Sequence, residues 1–521
     1  MKLAELLSEA QSPNYRADPN VEIAGLAYDS RDVKNGYAFF AFQGLHTDGH
    51  KYIDNAIKAG AVAIIHDKEL ENYNKSVCYA KLPDARLAMP MAAAKFYDKP
   101  SGKMAVIGVS GTEGKSTCVW LIHSLLELAG KKSGFFSTVE YKLGSKVEAN
   151  PKHQTTPEAI TVQEHLAKMA ASGFEYAVVE ASSHGLSSLT GRLEKVDFDA
   201  GLICNIRHEH LEFHGSWENY RNDKANLFRI LDVVDHYKTL PVAPKAVPSF
   251  GIVCANDPSL TYLQESTKKP VYSYSMHSSD ADIYAENIKL DDSGAFFDLV
   301  EKTDKAEAGF LRYSARLNLP GSFNIENALA AILMVSKITG IEIKDLFGHL
   351  PLLSPVRGRM NRIYLGQEFE VLVDYAHTPS SFETIMPSLA KATKGEMVCV
   401  FGSGGERDVK KRPQQGSIAA KYCGTVILSD EDPRGEDPMA LLEDIAAGCA
   451  SKERGKNLFL IPDRKKAIRF AMNKRKKGDL VLLLGKGHEN SIEYKDHSIP
   501  WDEIAEAEAA LAELGFCKNR D

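Results

Sequence analysis

An apolar run at residues 104–109 leads into Gly108-Val109-Ser110-Gly111-Thr112-Glu113-Gly114-Lys115-Ser116-Thr117, and a largely apolar stretch at 116–129 leaves it. Strand, glycine-rich turn and helix in that order is the context a phosphate-binding loop requires. The glycines let backbone N–H groups turn onto phosphate oxygens, and the helix N-terminus adds the positive end of its dipole. Lys115 is placed to reach the β- and γ-phosphates, and the hydroxyl after it to bind Mg²⁺. The spacing is a variant, because the usual loop would put its first glycine where this chain has Val109.

At 521 residues the chain is long enough for about three domains. Residues 1–100 carry short strand-like runs at 23–27 and 38–42, a helix pattern at 52–59 and a strand at 61–65, which reads as a small α/β domain. Asp29-Ser30-Arg31 and His46-Thr47-Asp48-Gly49-His50 are polar loops beside those strands, open between ligand binding and ordinary turn chemistry. Residues 101–353 form the phosphate-loop domain. Its further strands, at 176–179, 200–204 and 251–255, are each followed by polar residues: Glu180, Asn205 and Asn256-Asp257. Short alternating segments at 275–316 read as hairpins on its flank. A helix opens near Gly321, and residues 351–355 read as a linker.

Residues 354–521 predict a doubly wound, Rossmann-like domain, with apolar strands at 371–373, 397–401, 425–428, 458–461 and 480–484 separated by helical stretches. Polar clusters follow the strands: Asp374 to His377, Gly402 to Asp408, Asp430 to Arg434, and Gly485 to Glu489. Ligands of open parallel sheets bind outside the carboxyl ends of the strands, so such clusters on one sheet edge make a site. The fold class is therefore α/β, with a central parallel-sheet ATPase domain and a C-terminal Rossmann-like domain.

The composition, 44% hydrophobic and 26% charged, is that of a soluble globular protein. A net charge of −7 gives no basic footprint for nucleic acid. No apolar run reaches the ~18 residues of a membrane span, and Met1-Lys2-Leu3-Ala4-Glu5 opens no signal peptide, so no membrane insertion and a cytoplasmic location are expected. The eight cysteines are scattered without a C-x-x-C pair and read as reduced and buried, neither a disulfide frame nor a zinc site.

His208-Glu209-His210-Leu211-Glu212-Phe213-His214 invites a metalloprotease reading, but H-E-x-x-H fails from either histidine: Leu211 follows His210, and Glu212 stands four residues after His208. A histidine binding one metal beside a bound nucleotide fits better. In the last domain, Arg407 and Arg434 are planar forks suited to carboxylates, whereas Glu431, Asp432 and Glu489 suit ammonium groups. A pocket of mixed sign fits an amino acid better than a sugar or a nucleic acid. Nucleotide on one domain and amino acid on another suggest ligation through an activated carboxylate.

These motifs resemble the Mur ligase family over nearly the whole chain, and most closely its tripeptide-forming synthetases. The resemblance rests on Asp29-Ser30-Arg31, the run Gly36 to Gly44 and Asp48-Gly49. It continues through the phosphate loop, Thr155-Thr156-Pro157, Glu180 to His184, Asn205 to Gly215, Lys224 to Phe228, Gly321 to Asn327, Gly358-Arg359 and Asp374 to Pro379, all in family order. It implies a UDP-substrate domain, an ATP domain and an amino-acid domain. The implied reaction joins a diamino acid to UDP-MurNAc-L-Ala-D-Glu as ATP becomes ADP and phosphate. An acyl phosphate of the dipeptide is the intermediate that the amine attacks.

By the same resemblance Gly111, Thr112, Glu113, Gly114, Lys115, Ser116, Thr117, Asn324, Arg359 and Asp374 hold ATP. Ser30, Thr155, Thr156, Ser183 and Arg192 hold the UDP-substrate, and Arg407, Glu431, Asp432, Arg434, Gly485 and Glu489 the amino acid. Lys115, His210 and Lys224 are the implied catalytic residues. Ser116 and Glu180 would bind a first Mg²⁺ and His210 a second, with Lys224 carrying a CO₂-derived carbamate as an anionic metal ligand. The chain departs from the family's usual residues at Glu113 for Asn, Ser116 for Thr, Gln154 for Asn, Asn361 for Glu and Asp432 for Asn. Arg434 favours meso-diaminopimelate, whose extra carboxylate it would grip. Asp432 adds charge that favours the bare ammonium of L-lysine or ornithine, which remain alternatives. A monomer is expected. The competing readings are another member of the superfamily, such as a folylpolyglutamate synthetase, and a non-catalytic NTP-binding protein. The motifs between Asp29 and Gly49 argue against the first, and the joint set Lys115, Glu180, His210 and Lys224 against the second.

Overall fold

The computed structural model describes residues 1–10, 13–44, 47–151, 154–207, 211–291, 293–473 and 475–517. The chain forms three successive α/β layers. In the first, Gly25–Ala27, Tyr37–Ala41, Ala61–His66 and Cys78–Lys81 run parallel, with Asn14–Arg16 antiparallel at one edge.

The central sheet is built around the strand Ala105–Ser110, which enters the phosphate loop. Tyr176–Glu180 and Ser133–Phe136 lie parallel on one side of it, and Ala200–Ile203, Phe250–Cys254 and Val271–Ser275 on the other. Ile283–Asp291, Gly294–Lys302 and Phe310–Leu317 extend this same sheet as an antiparallel meander, so the flanking hairpins are part of the sheet edge.

In the third layer Glu370–Asp374, Leu480–Leu484, Met397–Phe401, Thr425–Leu428 and Leu458–Leu460 are parallel neighbours in that order, and Asn361–Arg362 is antiparallel at the edge. Their near-continuous apolar runs follow from burial on both faces. Cys399, Phe401, Leu480, Leu482 and Leu484 pack under one set of helices, and Val398, Val400, Val481 and Leu483 under the other. Asp84, Ser216, Thr378, Asp437, Asp463 and Asp502 each accept a backbone N–H at a helix start, a contribution of about 1 kcal/mol apiece.

Two sequence expectations need correction. The linker expected at 351–355 is partly helical, since the 3₁₀ segment Phe347–Leu352 runs into it. Side chains of the central domain fasten it: Asn318 Nδ2 donates to Pro351 O at 2.9 Å and Trp120 Nε1 to Ser354 O at 2.9 Å. Cys517 is exposed, unlike the other seven cysteines, because it lies past the last helix, Glu503–Glu513.

Candidate active site

Gly114 has φ of +83°, a left-handed conformation, and the helix Lys115–Leu128 begins immediately after it. A Cβ there would lie 2.8 Å from Asn327 Oδ1, so the turn requires glycine on both grounds. Asn205, at the end of the neighbouring strand, clamps the loop. Its Oδ1 accepts Glu113 N at 2.9 Å, its carbonyl accepts Thr112 N at 2.9 Å, and its Nδ2 donates to Glu113 O at 3.2 Å. Lys115 Nζ donates to Thr112 O at 2.8 Å, which folds the ammonium over the loop. From below, buried Lys224 donates from Nζ to Gly111 O at 2.6 Å and sits 4.6 Å from the Tyr220 ring centroid. Tyr220 Oη lies 3.0 Å from Thr112 Oγ1.

Glu180 closes the strand beside the loop strand, and its carboxylate is organised by three groups. Ser116 Oγ donates to Oε2 at 2.9 Å, Thr138 N donates to Oε2 at 2.8 Å, and the Thr138 hydroxyl lies 3.0 Å from Oε1. A hydroxyl and a carboxylate at the phosphate loop are the hard oxygen ligands Mg²⁺ takes alongside substrate phosphates, so these residues fit the ion. Lys224, on the helix Trp217–Ile230, is buried beneath the same loop. His210 lies outside the described residues.

A cavity of about 320 Å³ spans from the phosphate loop to the C-terminal domain, lined by Thr112 to Thr117, Thr138, Asn324, Arg359 and Asp374. Asn324 is fixed by Pro320 O at 2.7 Å and Asn327 Nδ2 at 3.1 Å. Asp374 accepts Met360 N at 2.9 Å and Ala376 N at 2.7 Å, and burial pushes its carboxyl up while Arg359 opposes the shift. Arg359 lies 4.5 Å from the Tyr375 ring centroid, and its Nε makes no hydrogen bond within the protein. Ser380, in the first turn of the helix Pro379–Ala392, donates to Glu113 Oε1 at 3.3 Å and so joins the two domains across the cavity.

A second cleft, of about 610 Å³, opens between the first and central domains, lined by Tyr28, Arg31, Asp32, Phe136, Tyr141 and Gln154 among others. Ser30 opens the 3₁₀ turn Ser30–Asp32, of which Arg31 and Asp32 line this cleft and Ser30 does not. The other four residues expected on this substrate form a connected string beside Glu180. Thr155 lines the nucleotide cavity, while the buried Thr156 hydroxyl donates to Glu180 O at 3.0 Å and accepts from Ser182 N at 2.9 Å. Arg192 donates to Thr156 O at 3.0 Å and to Glu158 Oε1 at 2.6 Å. Ser183 Oγ lies 3.1 Å from His214 Nε2, whose Nδ1 is 2.8 Å from Asp223 Oδ2.

The third group gathers at the carboxyl ends of the C-terminal strands. Glu431 and Asp432 follow Thr425–Leu428, and Gly485 follows Leu480–Leu484 directly against Glu431. Burial pushes the Glu431 carboxyl up, against the pull of Lys411 and Lys486. Lys486, itself buried, donates to Asp432 Oδ1 at 2.8 Å and Glu489 Oε2 at 2.5 Å. The chain therefore supplies its own ammonium to Asp432 and Glu489, and Glu431 keeps Oε2 without a hydrogen bond within the protein. Arg434 has φ of +52° and donates from its backbone to Glu493 O at 2.9 Å, while Arg407 is exposed on the preceding loop.

Sequence reasoning missed Arg464, which is buried and donates to Asp430 O at 3.1 Å and Leu484 O at 2.6 Å while pairing with Glu503. It thus holds the residues preceding both Glu431 and Gly485, yet nothing near position 464 signals it. Lys486 and Tyr375 were visible inside their motifs but carried no assigned role.

Three α/β layers, a phosphate loop in the middle layer, a cavity from that loop to the C-terminal domain and a cleft between the first and central domains are the architecture of an ATP-dependent ligase. The chain belongs to the Mur ligase family. Residues 22–97 match the family's catalytic domain, 109–335 the Mur ligase middle domain and 358–487 the Mur ligase glutamate ligase domain. The UDP-N-acetylmuramyl-tripeptide synthetase of Treponema denticola is 49% identical over 531 residues, covering 98% of this chain and 97% of its own. The UDP-N-acetylmuramoyl-L-alanyl-D-glutamate–2,6-diaminopimelate ligase of Caldanaerobacter subterraneus is 36% identical over 98% of this chain and 99% of its own. A solved structure of such a diaminopimelate ligase, 28% identical, superposes with a TM-score of 0.64 over 99% of both chains. The chain is an amide ligase of peptidoglycan synthesis that binds ATP. No helix among the described residues is long and apolar enough to cross a membrane.

Proposed function

We propose that this protein joins a diamino acid to UDP-MurNAc-L-Ala-D-Glu as ATP becomes ADP and phosphate, acting as a cytoplasmic monomer. The observation that supports the reading is the Ser116–Glu180 pair in the wall of the cavity that runs from the phosphate loop to the C-terminal domain, with a second cleft between the first and central domains. A UDP-linked dipeptide enters from the N-terminal side and an amino acid from the C-terminal side, and both reach the γ-phosphate. The printed names of the relatives from Treponema denticola and Caldanaerobacter subterraneus support these substrates.

In this reading the dipeptide's γ-carboxylate attacks the γ-phosphate to give an acyl phosphate, and the incoming amine then displaces phosphate. Both partners in the first step are anionic, so positive charge at the transferring group is the main requirement. Lys115 supplies it from the loop. Mg²⁺, held by Ser116 and Glu180 and by His210, with a carbamate on Lys224, would neutralise the phosphate oxygens. Thr156 and Arg192 orient the dipeptide next to Glu180, and Arg359, Asn324 and Asp374 keep the nucleotide in place. Arg434 favours meso-diaminopimelate. The Lys486 bridge to Asp432 neutralises the charge that would otherwise favour L-lysine or ornithine.

Phosphate release tests this directly. It is measured with ATP, UDP-MurNAc-L-Ala-D-Glu and, in turn, meso-diaminopimelate, L-lysine and L-ornithine. Release should need both co-substrates and be fastest with diaminopimelate. Release independent of the UDP-dipeptide, or with none of the amino acids, contradicts the reading.

A further inference from the structure

Tyr375 sits between two groups that belong to different substrates. It follows Asp374 at the end of the strand Glu370–Asp374. One face of its ring receives the Arg359 guanidinium, with Cζ 4.5 Å from the centroid. Its hydroxyl donates to Glu489 Oε1 at 3.2 Å. The other oxygen of that carboxylate accepts from Lys486 Nζ at 2.5 Å. The Glu489 carboxylate is thus held at both ends, and the phenol supplies one of the two holds.

The packing leaves this unit little freedom. The rings of His377 and His488 lie 4.6 Å from the Tyr375 ring at 57° and 52°. A Cβ on Gly358, next to Arg359, would come within 2.2 Å of His488 N, so the Arg359 turn and the loop carrying Glu489 touch backbone to backbone. Burial and the Glu489 carboxylate together push the Tyr375 phenol up, so it remains a hydrogen donor throughout the working range.

We propose that Tyr375 is a positioning residue that fastens the nucleotide-facing Arg359 to the amino-acid-facing Glu489, so that each substrate's subsite is braced by the other's. The proposal rests on the reading above, in which Arg359 holds ATP and Glu489 the amino acid. The two halves of the side chain separate the two functions. The ring acts on Arg359 through its π face. The hydroxyl acts on Glu489 through a hydrogen bond to a charged acceptor.

Tyr375→Phe keeps the ring and removes only the hydroxyl. Its KM for the best diamino acid of the three should rise about tenfold, the effect expected for a lost hydrogen bond to a charged group, while its Kd for ADP by calorimetry stays within about twofold of wild type. Tyr375→Leu removes both contacts and should weaken ADP binding as well. Glu489→Gln and Arg359→Lys serve as references. If Glu489→Gln leaves the amino-acid KM unchanged, the assignment of that subsite fails, and the proposal with it. If Glu489→Gln raises this KM but Tyr375→Phe does not, the assignment stands and the role of Tyr375 is overturned. Thermal melting of each variant checks folding. Should Tyr375→Leu not fold, the split between KM and ADP affinity in Tyr375→Phe decides alone: a KM that rises without loss of ADP affinity upholds the role, and any other pattern overturns it.

Discussion

Ser116 Oγ and Glu180 Oε2 lie 2.9 Å apart, joining the first turn of the phosphate-loop helix to the end of the neighbouring strand. They come from positions 64 residues apart, and the parallel pairing of Tyr176–Glu180 with Ala105–Ser110 brings them into register. Such a pair should set the enzyme's demand for Mg²⁺. Ser116→Ala and Glu180→Gln should each lower kcat on the order of a hundredfold and raise the Mg²⁺ concentration for half-maximal phosphate release. An unchanged Mg²⁺ dependence in Glu180→Gln would remove the pair from the metal site.

Lys224 is the side chain whose chemistry the structure makes most testable. It is buried beneath the loop, where its Nζ donates to Gly111 O at 2.6 Å. A carbamate there would convert a cation into an oxygen ligand. Lys224→Ala should abolish phosphate release and regain part of it with added acetate or bicarbonate. Protein equilibrated with ¹³C-bicarbonate should show a carbamate carbon resonance that Lys224→Ala lacks. Full activity in Lys224→Arg, which cannot be carbamylated, would contradict the assignment.

Ser183, His214 and Asp223 form a chain of hydrogen bonds, with His214 Nδ1 2.8 Å from Asp223 Oδ2 and Nε2 3.1 Å from Ser183 Oγ. In the tautomer with the ring proton on Nδ1, facing the carboxylate, Nε2 accepts the serine hydroxyl and leaves the serine lone pairs for a substrate donor. Ser183→Ala and His214→Ala should each raise KM for the UDP-dipeptide about tenfold, with much smaller changes for ATP. Because they act through one chain, the double variant should lose no more than either alone. Fully additive losses would mean the two act separately.

His123 predicts a pH dependence of stability. Its ring is buried, with Nδ1 2.7 Å from Ser133 Oγ, and burial, assisted by Lys142, pushes its pKa down to about 4. An unfolded histidine titrates near 6.5, so the unfolded chain binds the extra proton first. Stability from this site is therefore fully present above pH ~6.5 and is lost as pH falls toward ~4, by up to roughly 3 kcal/mol. His123→Gln should melt with a shallower acid dependence than wild type across that window. Parallel melting curves would show that this site does not titrate as described.

Much of this was legible in the sequence because strand ends announce themselves. An apolar run that stops at a polar residue, as at Glu180 or Asp374, marks both the strand and the sheet edge where ligands collect. The phosphate loop was legible because glycine spacing encodes its backbone. What escaped were side chains that act through the fold. Arg464 holds the backbone before Glu431 and before Gly485 from a helix remote from both in sequence, and a lone arginine at a helix start carries no pattern. Thr155 was grouped with the UDP-substrate residues, and only the packing of Thr138 between it and Glu180 shows that it also faces the nucleotide cavity. The partner of Asp432 was not legible in the sequence, because Lys486 arrives from another strand end.

The account turns on a carboxylate being phosphorylated before the amine attacks. The most direct measurement uses UDP-MurNAc-L-Ala-D-Glu labelled with ¹⁸O in the γ-carboxylate of its glutamate, together with ATP and the diamino acid best used. Phosphate released during turnover is then analysed by mass spectrometry. Passage through an acyl phosphate predicts that the label appears in the phosphate in step with amide formation. Amide formed with unlabelled phosphate would contradict the account.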